Sequence, residues 1–332
     1  MDTLSDVLTH LRSSGALVGR TLVDPPWSAR FEDGASLTLV TMLRGTAWIR
    51  DAGSTHELAT RDIAVIVGPA PFTVASEPTA SAPPLFIQTA DGVCLDASGR
   101  PADDITLGVR TCGTQLDAGH ALFTGSFTVT GRIADRLLDA LPRIVLVPAS
   151  AQRITTLDLL ESELLRDEPG QQALLDRLLD LVLVETLRDW FALPTSDTPG
   201  WYAAGTDPVV GPALEAIHRS PALPWTVEAL ATRSHVSRAT FARRFTAALG
   251  QPPMSYLAGW RLCLAADLLE RSDATVETIA RDVGYSSSYA LSTAFHREYG
   301  RRPTRYRQSV RSGPSASPGT GSGRLSTAES AR

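Results

Sequence analysis

The chain has 332 residues, enough for two domains, and 43% of them are hydrophobic, an ordinary fraction for a globular protein. No run of 18 apolar residues occurs, which argues against a spanning helix, and the start Met1-Asp2-Thr3-Leu4 lacks the basic and apolar segments of a secretion signal. The net charge of -5 conceals a division: residues 1–204 carry 15 Arg against 26 acidic residues, whereas residues 205–311 carry 14 Arg against 9, so only the second segment suits a polyanion.

Leu4, Val7, Leu8 and Leu11 recur at helical spacing and predict a short helix over residues 3–14. The period then shortens. Segments 37–43, 47–50, 62–67, 72–74, 85–88 and 121–129 are rich in β-branched and aromatic residues and are punctuated by Gly45, Gly53, Gly68-Pro69 and Pro83-Pro84. That pattern predicts a small β-barrel or sandwich. Ile133, Leu137, Leu138 and Leu141 restore the helical period up to Pro142, and helices are expected at 154–166 and 171–192. The apolar stripe of the second is broad enough for a buried helix or for half of an oligomer interface. Residues 194–205 read as a linker carrying Trp201-Tyr202, and the Ser/Gly/Pro-rich tail 312–332 as disordered.

Between linker and tail one pattern occurs twice. Thr226-Val-Glu-Ala-Leu-Ala leads to Phe245 and Gly250, and Thr275-Val-Glu-Thr-Ile-Ala leads to Phe295 and Gly300. Each copy reads as a helix-turn-helix: Thr226 and Thr275 cap the first helices, Ser237 and Ser286 or Ser287 the second. With Phe241 inward and about 100° per residue, Ala239, Ala242, Arg243 and Thr246 point outward, small or polar enough to enter a major groove roughly 12 Å wide. The candidate DNA-facing set of this copy is Ser237, Arg238, Ala239, Thr240, Ala242, Arg243, Arg244 and Thr246, with Arg243 central. Arg244 stands between a phosphate contact and an intradomain pair. In the second copy the set is Ser287, Ser288, Tyr289, Ser292, Thr293 and His296. Arg301, Arg302, Arg305 and Arg307 add a basic run that faces phosphate in part. A helix predicted over residues 252–271, with Leu257, Trp260, Leu264, Leu268 and Leu269 inward, joins the copies. Its 20 residues span about 30 Å, close to the roughly 34 Å between successive major-groove faces.

These motifs, together with Ser237-Arg-Ala-Thr-Phe-Ala-Arg-Arg-Phe, Pro252-Pro-Met-Ser-Tyr-Leu-Ala-Gly-Trp-Arg, Ile279-Ala-Arg-Asp-Val-Gly-Tyr and Pro303-Thr-Arg-Tyr-Arg307, resemble the AraC/XylS family of transcriptional regulators. Gly15-Ala-Leu-Val-Gly-Arg20, Trp48-Ile-Arg, Arg61-Asp-Ile-Ala-Val-Ile-Val-Gly-Pro and Leu137-Leu-Asp-Ala-Leu-Pro142 resemble the cupin-type effector domain of one branch. The resemblance implies an α+β chain: a cupin-like β-barrel with supporting helices over 1–204, then an all-α pair of helix-turn-helix units on a linker helix over 205–311. It implies a regulator that binds double-stranded DNA, senses a small-molecule effector or partner and contacts RNA polymerase if it activates; a homodimer through the helices near 133–192 is a further expectation, and the scattered cysteines and missing signal pattern point to the cytoplasm. Two departures matter. His235 stands where the family usually has glycine, and Thr293 occupies the position matching Arg243, so reading is expected to fall mainly on the first copy.

The rival reading is a cupin-type metal-dependent enzyme fused to a DNA-targeting domain. His10, His56 and His120 are isolated along the chain, and only His56-Glu57 sits on an expected strand, whereas metal sites need three or four converging ligands. No metal, cofactor or catalytic residue is therefore assigned. Cys94, Cys112 and Cys263 lack metal-ligand spacing, and their odd number argues against a disulfide framework. Cys112 reads as a small buried residue in preference to a reactive thiol. Trp27, Trp48, Phe72, Phe86, Phe123 and Phe127 are candidates for an apolar cavity or for plain core.

Overall fold

The computed structural model describes residues 16–79, 83–90, 92–127, 131–193 and 200–311. The helix expected at 3–14 and the tail 312–332 lie outside these residues. The strands are β1 (Leu17–Val23), β2 (Ser28–Glu32), β3 (Leu37–Arg44), β4 (Ala47–Arg50), β5 (Thr55–Leu58), β6 (Ile63–Val67), β7 (Phe72–Ala75), β8 (Phe86–Thr89), β9 (Cys94–Leu95), β10 (Thr106–Gly108), β11 (Thr111–Gly113), β12 (His120–Phe127) and, after helix α1 (Arg132–Leu138), β13 (Ile144–Val147). Helices follow: α2 (Ala151–Leu164), α3 (Gln171–Ala192), α4 (Gly200–Thr206), α5 (Gly211–Arg219), α6 (Val227–Arg233), α7 (Arg238–Leu249), α8 (Pro253–Arg271), α9 (Val276–Asp282), α10 (Ser288–Tyr299) and α11 (Pro303–Arg311). Among the described residues, no helix is long and apolar enough to cross a membrane.

The strands form two sheets, ordered β10-β11-β1-β12-β3-β6-β13 and β5-β4-β7-β2-β8-β9. Side chains alternate across a strand, and the first sheet is apolar on both faces. Leu37, Leu39, Ile63, Val65, Val145 and Val147 pack under the helices. Val40, Met42, Ala64 and Ile66 face the second sheet, where Phe31, Phe72, Ile49 and Val74 meet them. This is why β3 and β6 read as continuous apolar runs. The aromatic candidates divide accordingly. Trp27, Phe72 and Phe86 belong to the core between the sheets, Phe123 and Phe127 turn to the helical layer, and Trp48 is half-buried.

Helices α1 to α3 cover the first sheet, and their core continues without a break into Phe241, Phe245, Tyr256 and Trp260 of the C-terminal half. Part of the expected linker proves helical: α4 packs against α5 and α7, and Tyr202 stacks on Phe191 with ring centroids 4.2 Å apart. A boundary at 204/205 would cut through α4. Helix α5 begins at Gly211, later than Asp207-Pro208 suggested, because the Asp207 carboxylate accepts from the N–H groups of Val209 and Val210 and holds a separate turn.

The two copies of the tandem unit differ at their turns. His235 sits at φ +55 and Gly284 at φ +87, the left-handed region in which a β-carbon costs roughly 1–2 kcal/mol. At Gly284 a Cβ would also come within 2.7 Å of the Ala222 Cα and 2.8 Å of its carbonyl oxygen. His235 is exposed. Denaturant titration should therefore show His235→Gly stabilising the chain by up to about 1 kcal/mol. Gly284→Ala should destabilise it by about 2 kcal/mol or more. A neutral Gly284→Ala would mean the second turn is not held as described.

Candidate nucleic-acid interface

Both copies end in a capped helix. The Ser237 hydroxyl accepts from the Thr240 N–H at 3.2 Å, and that of Ser287 from the Ala290 N–H at 3.2 Å. Thr226 and Thr275 cap α6 and α9 in the same way, through the N–H groups of Ala229 and Thr278. Gly250 and Gly300 close α7 and α10 at φ +71 and +67. Phe241 and Phe245 anchor α7, and Leu291 and Phe295 anchor α10. The opposite face of each helix is left to solvent.

On α7, Arg238, Ala239, Arg243 and Thr246 are exposed and Ala242 is half-buried. Among the described residues no hydrogen bond or ion pair engages Arg238 or Arg243. Arg244 is different: its guanidinium donates to the Asp207 carboxylate at 2.8 Å, so of its two expected roles it takes the intradomain pair. The Ser237 hydroxyl also donates to that of Thr240, which commits both to the cap. On α10, Tyr289, Thr293 and His296 are exposed and Ser292 is half-buried. Tyr289 is 81% exposed, an unusual state for an aromatic ring on a well-packed helix. The Ser288 N–H donates to Glu277 at 3.1 Å, and the Ser288 hydroxyl and N–H together hold the Glu277 carboxyl below its usual range. Ser287 and Ser288 thus serve the unit's own turn.

Beside α10 lies a groove of about 560 Å³, lined by Tyr289, Ser292, Thr293, His296, Arg302 and Thr304. Thr304 was not expected there. The clue is Pro303, which starts α11 and directs that helix's first turn into the groove. Of the basic run, Arg301, Arg302 and Arg305 are exposed, whereas Arg307 turns inward and donates to the carbonyls of Leu269 and Ala274.

The helix joining the copies, α8, has 19 residues and a length of about 28 Å. A single inward stripe was expected, but two are present. Tyr256, Leu257, Trp260 and Cys263 belong to the first copy's core, and Leu262, Ala265, Ala266 and Leu269 to the second's. Asp267 continues the first stripe and is only 4% exposed. Its carboxylate accepts the Arg132 N–H at 2.7 Å and so caps α1 from across the domain junction. The Arg132 guanidinium lies 5.3 Å from the Tyr299 ring and 5.8 Å from that of Tyr306, and Arg136 lies 5.3 Å from Tyr256 and 5.9 Å from Trp260. Helix α1 of the N-terminal half therefore touches α8 along its first stripe and the second copy at Tyr299 and Tyr306. Behind it, His218 stacks on Trp260 at 4.1 Å and shares a 2.8 Å hydrogen bond with the Tyr256 hydroxyl. Among the described residues, no three His, Cys, Asp or Glu side chains converge as metal ligands. His56 bonds Ser54, and His120 bonds Trp27.

A cupin family profile matches residues 2–192, and a helix-turn-helix domain profile matches residues 230–309. The chain is 35% identical over 318 residues to a putative AraC-like transcription regulator of Streptomyces lividans, covering 93% of this chain and 98% of that protein. A putative AraC-like transcription regulator of Streptomyces antibioticus is 32% identical over 317 residues, covering 93% and 99%. Among solved structures, the DNA-binding domain of AdpA in complex with a target DNA is 36% identical at a TM-score of 0.31, covering 32% of this chain and 96% of that one.

The junction carries its own pH dependence. Burial, with Arg136 close by, pushes His218 down to about 3. An unfolded histidine titrates near 6.5, so between those values only the unfolded chain takes up the proton. The contribution of His218 is constant above about pH 6.5, and stability falls as pH drops below it, by at most about 1.4 kcal/mol per pH unit. Denaturant unfolding at pH 6.5 and 5 should show the native chain losing about 2 kcal/mol more than His218→Phe, which keeps a ring on Trp260. Equal losses would place the acid sensitivity elsewhere.

Proposed function

The chain belongs to the AraC-like transcription regulators, and from that premise we propose how it reads DNA and how its N-terminal half governs the reading. It is a DNA-binding regulator with an N-terminal cupin effector domain. The observation that carries the rest is the pair of capped, outward-facing helices α7 and α10 on one buried rod. In this reading α7 enters one major groove and α10 the next on the same side of the duplex, the rod being comparable to the helical repeat of roughly 34 Å. Arg243 donates to a guanine edge or clamps a phosphate from the centre of the α7 face. Arg238 approaches phosphate at the start of α7. Tyr289, Thr293 and His296 dock α10, and Arg302 with the N-terminus of α11 meets the backbone beside it. Ser237, Thr240, Ser287, Ser288 and Arg244 hold these helices in position.

Effector control runs through α3. Its first turn meets the rim of a cavity of about 440 Å³ between the sheets, where Arg110 donates to the side-chain carbonyls of Gln171 at 2.5 Å and Gln172 at 2.7 Å. Its far end carries Phe191, which stacks on Tyr202 of α4, and α4 packs on α7. A small molecule in the cavity shifts DNA affinity only if it binds one arrangement of this strut more tightly than another. Leu174 and Leu181 of α3, 46% and 45% exposed, lie on one face and support a homodimer. The working site is the cytoplasm, where the regulator contacts RNA polymerase if it activates. No enzymatic role is assigned.

Selection of bound duplexes from random DNA supplies the ligand for the test. At fixed salt, Arg243→Ala should weaken binding about 10- to 100-fold, equivalent to roughly 1–3 kcal/mol, and Thr293→Ala less than about 3-fold. Arg244→Ala should leave the slope of affinity against salt unchanged. Equal losses at Arg243 and Thr293 would reject the uneven reading. In sedimentation velocity, Leu174→Glu combined with Leu181→Glu should convert a dimer into a monomer; a native chain that is already monomeric at micromolar concentration would refute the dimer.

A further inference from the structure

The effector cavity holds two of the three cysteines. Cys112 lies on β11 of the first sheet, paired with Thr21 of β1, and Cys94 lies on β9 at the edge of the second, paired with Gln88 of β8. Eighteen positions apart in sequence and on different sheets, both side chains line the same cavity with Thr21, Phe86, Gln88 and Arg110. Both residues are half-buried, unlike the buried Cys263. The two thiols face one cavity from opposite sheets and perturb each other's ionisation. We propose that Cys94 and Cys112 form a reversible dithiol–disulfide switch inside the effector cavity, with a hydroperoxide as its oxidant.

The two thiols are not equivalent. The neighbouring Cys94 thiol brings the Cys112 thiol down to about 7, and Cys112 together with burial pushes that of Cys94 up. Cys112 is then the nucleophile, since the thiolate is the reactive form. Its thiolate attacks the terminal peroxide oxygen, the O–O bond breaks, and an alcohol or water leaves as Cys112 becomes a sulfenic acid. The Cys94 sulfur next attacks the sulfenic sulfur, the S–S bond forms, the S–O bond breaks, and water departs with the Cys94 proton. Two thiols lose two electrons and the hydroperoxide gains them. A dithiol reductant reverses the exchange. The third cysteine has none of this: Cys263 is buried in α8, beside the Tyr299 hydroxyl, and burial pushes its thiol up.

The location allows the bond to act on DNA. β9 has two residues and ends its sheet, so it can shift to the Cα separation of about 5.5–6 Å that a disulfide requires. The new bond would tie the two sheets together at the mouth where Arg110 grips the first turn of α3. Arg110 itself stands at φ +52, a strained backbone for a residue with a side chain. This consequence rests on the effector reading above, but the chemistry of the pair does not.

The full-length chain is treated with a small excess of hydrogen peroxide, then quenched, denatured and titrated for thiols. Reactive thiols should fall from three to one, a peptide map should show Cys94 joined to Cys112 within one chain, and dithiothreitol should restore all three. In Cys94→Ser the reaction should stop at a sulfenic acid on Cys112 that dimedone traps, and Cys112→Ser should react at least about tenfold more slowly. On a selected duplex, oxidation should change the affinity of the native chain at least about fivefold, and neither serine variant should respond. Oxidation falling on Cys263, a cross-link between chains, or no intrachain bond would overturn the pair. An intrachain bond that leaves DNA affinity unchanged would overturn the switch. If the reduced chain bound no selected duplex, the DNA reading would fail while the thiol count still judged the pair.

Discussion

The structure depends on one helix being buried along two stripes. Tyr256, Leu257, Trp260 and Cys263 of α8 complete the core of the first helix-turn-helix unit, while Leu262, Ala265, Ala266 and Leu269 complete that of the second. Residues three and four apart share a face of a helix, so the two sets fix both units about one axis. The constraint is energetic as well as geometric. Each large side chain in these stripes is worth roughly 1.5–3 kcal/mol of burial, and neither unit can rotate about the rod without exposing several of them. The direction in which α7 and α10 face is thus set by packing on the side of each unit opposite its exposed helix face.

The same rod is where the N-terminal half gains a hold. Asp267 caps α1, and the guanidiniums of Arg132 and Arg136 lie over tyrosine and tryptophan rings that come from the rod and from α10 and α11 beyond it. Together with the Phe191–Tyr202 stack at the end of α3, this gives the N-terminal half two grips: one on the rod, the other, through α4, on α7. A ligand or a covalent change in the cavity need only favour one docking of α1 and α3 to alter how readily both units meet DNA. The asymmetry between copies agrees with this arrangement. The copy that carries Arg243 is the one on which α4 rests.

Local signals were legible in the sequence because their causes are local. All four N-caps, Thr226, Ser237, Thr275 and Ser287, fall where a hydroxyl precedes a helical stripe, and Gly250 and Gly300 end the helices they follow. The outward faces of α7 and α10 follow from a single inward phenylalanine. What stayed hidden depended on partners distant in the chain. Arg244 is settled by Asp207, thirty-seven positions earlier, and the helical nature of 200–206 by a tyrosine that finds Phe191. The second stripe of α8 is partly alanine, which a search for large apolar residues overlooks. Cys94 and Cys112 look scattered until two sheets fold their strands over one cavity.

The central claim is that a rigid rod presents two helices to one side of a duplex, one helical turn apart. Hydroxyl-radical footprinting of the full-length chain on a selected duplex measures this directly. Two protected windows should appear, centred about 10 base pairs apart and displaced in register along one face of the DNA. A single window, or two windows on opposite faces, would contradict it.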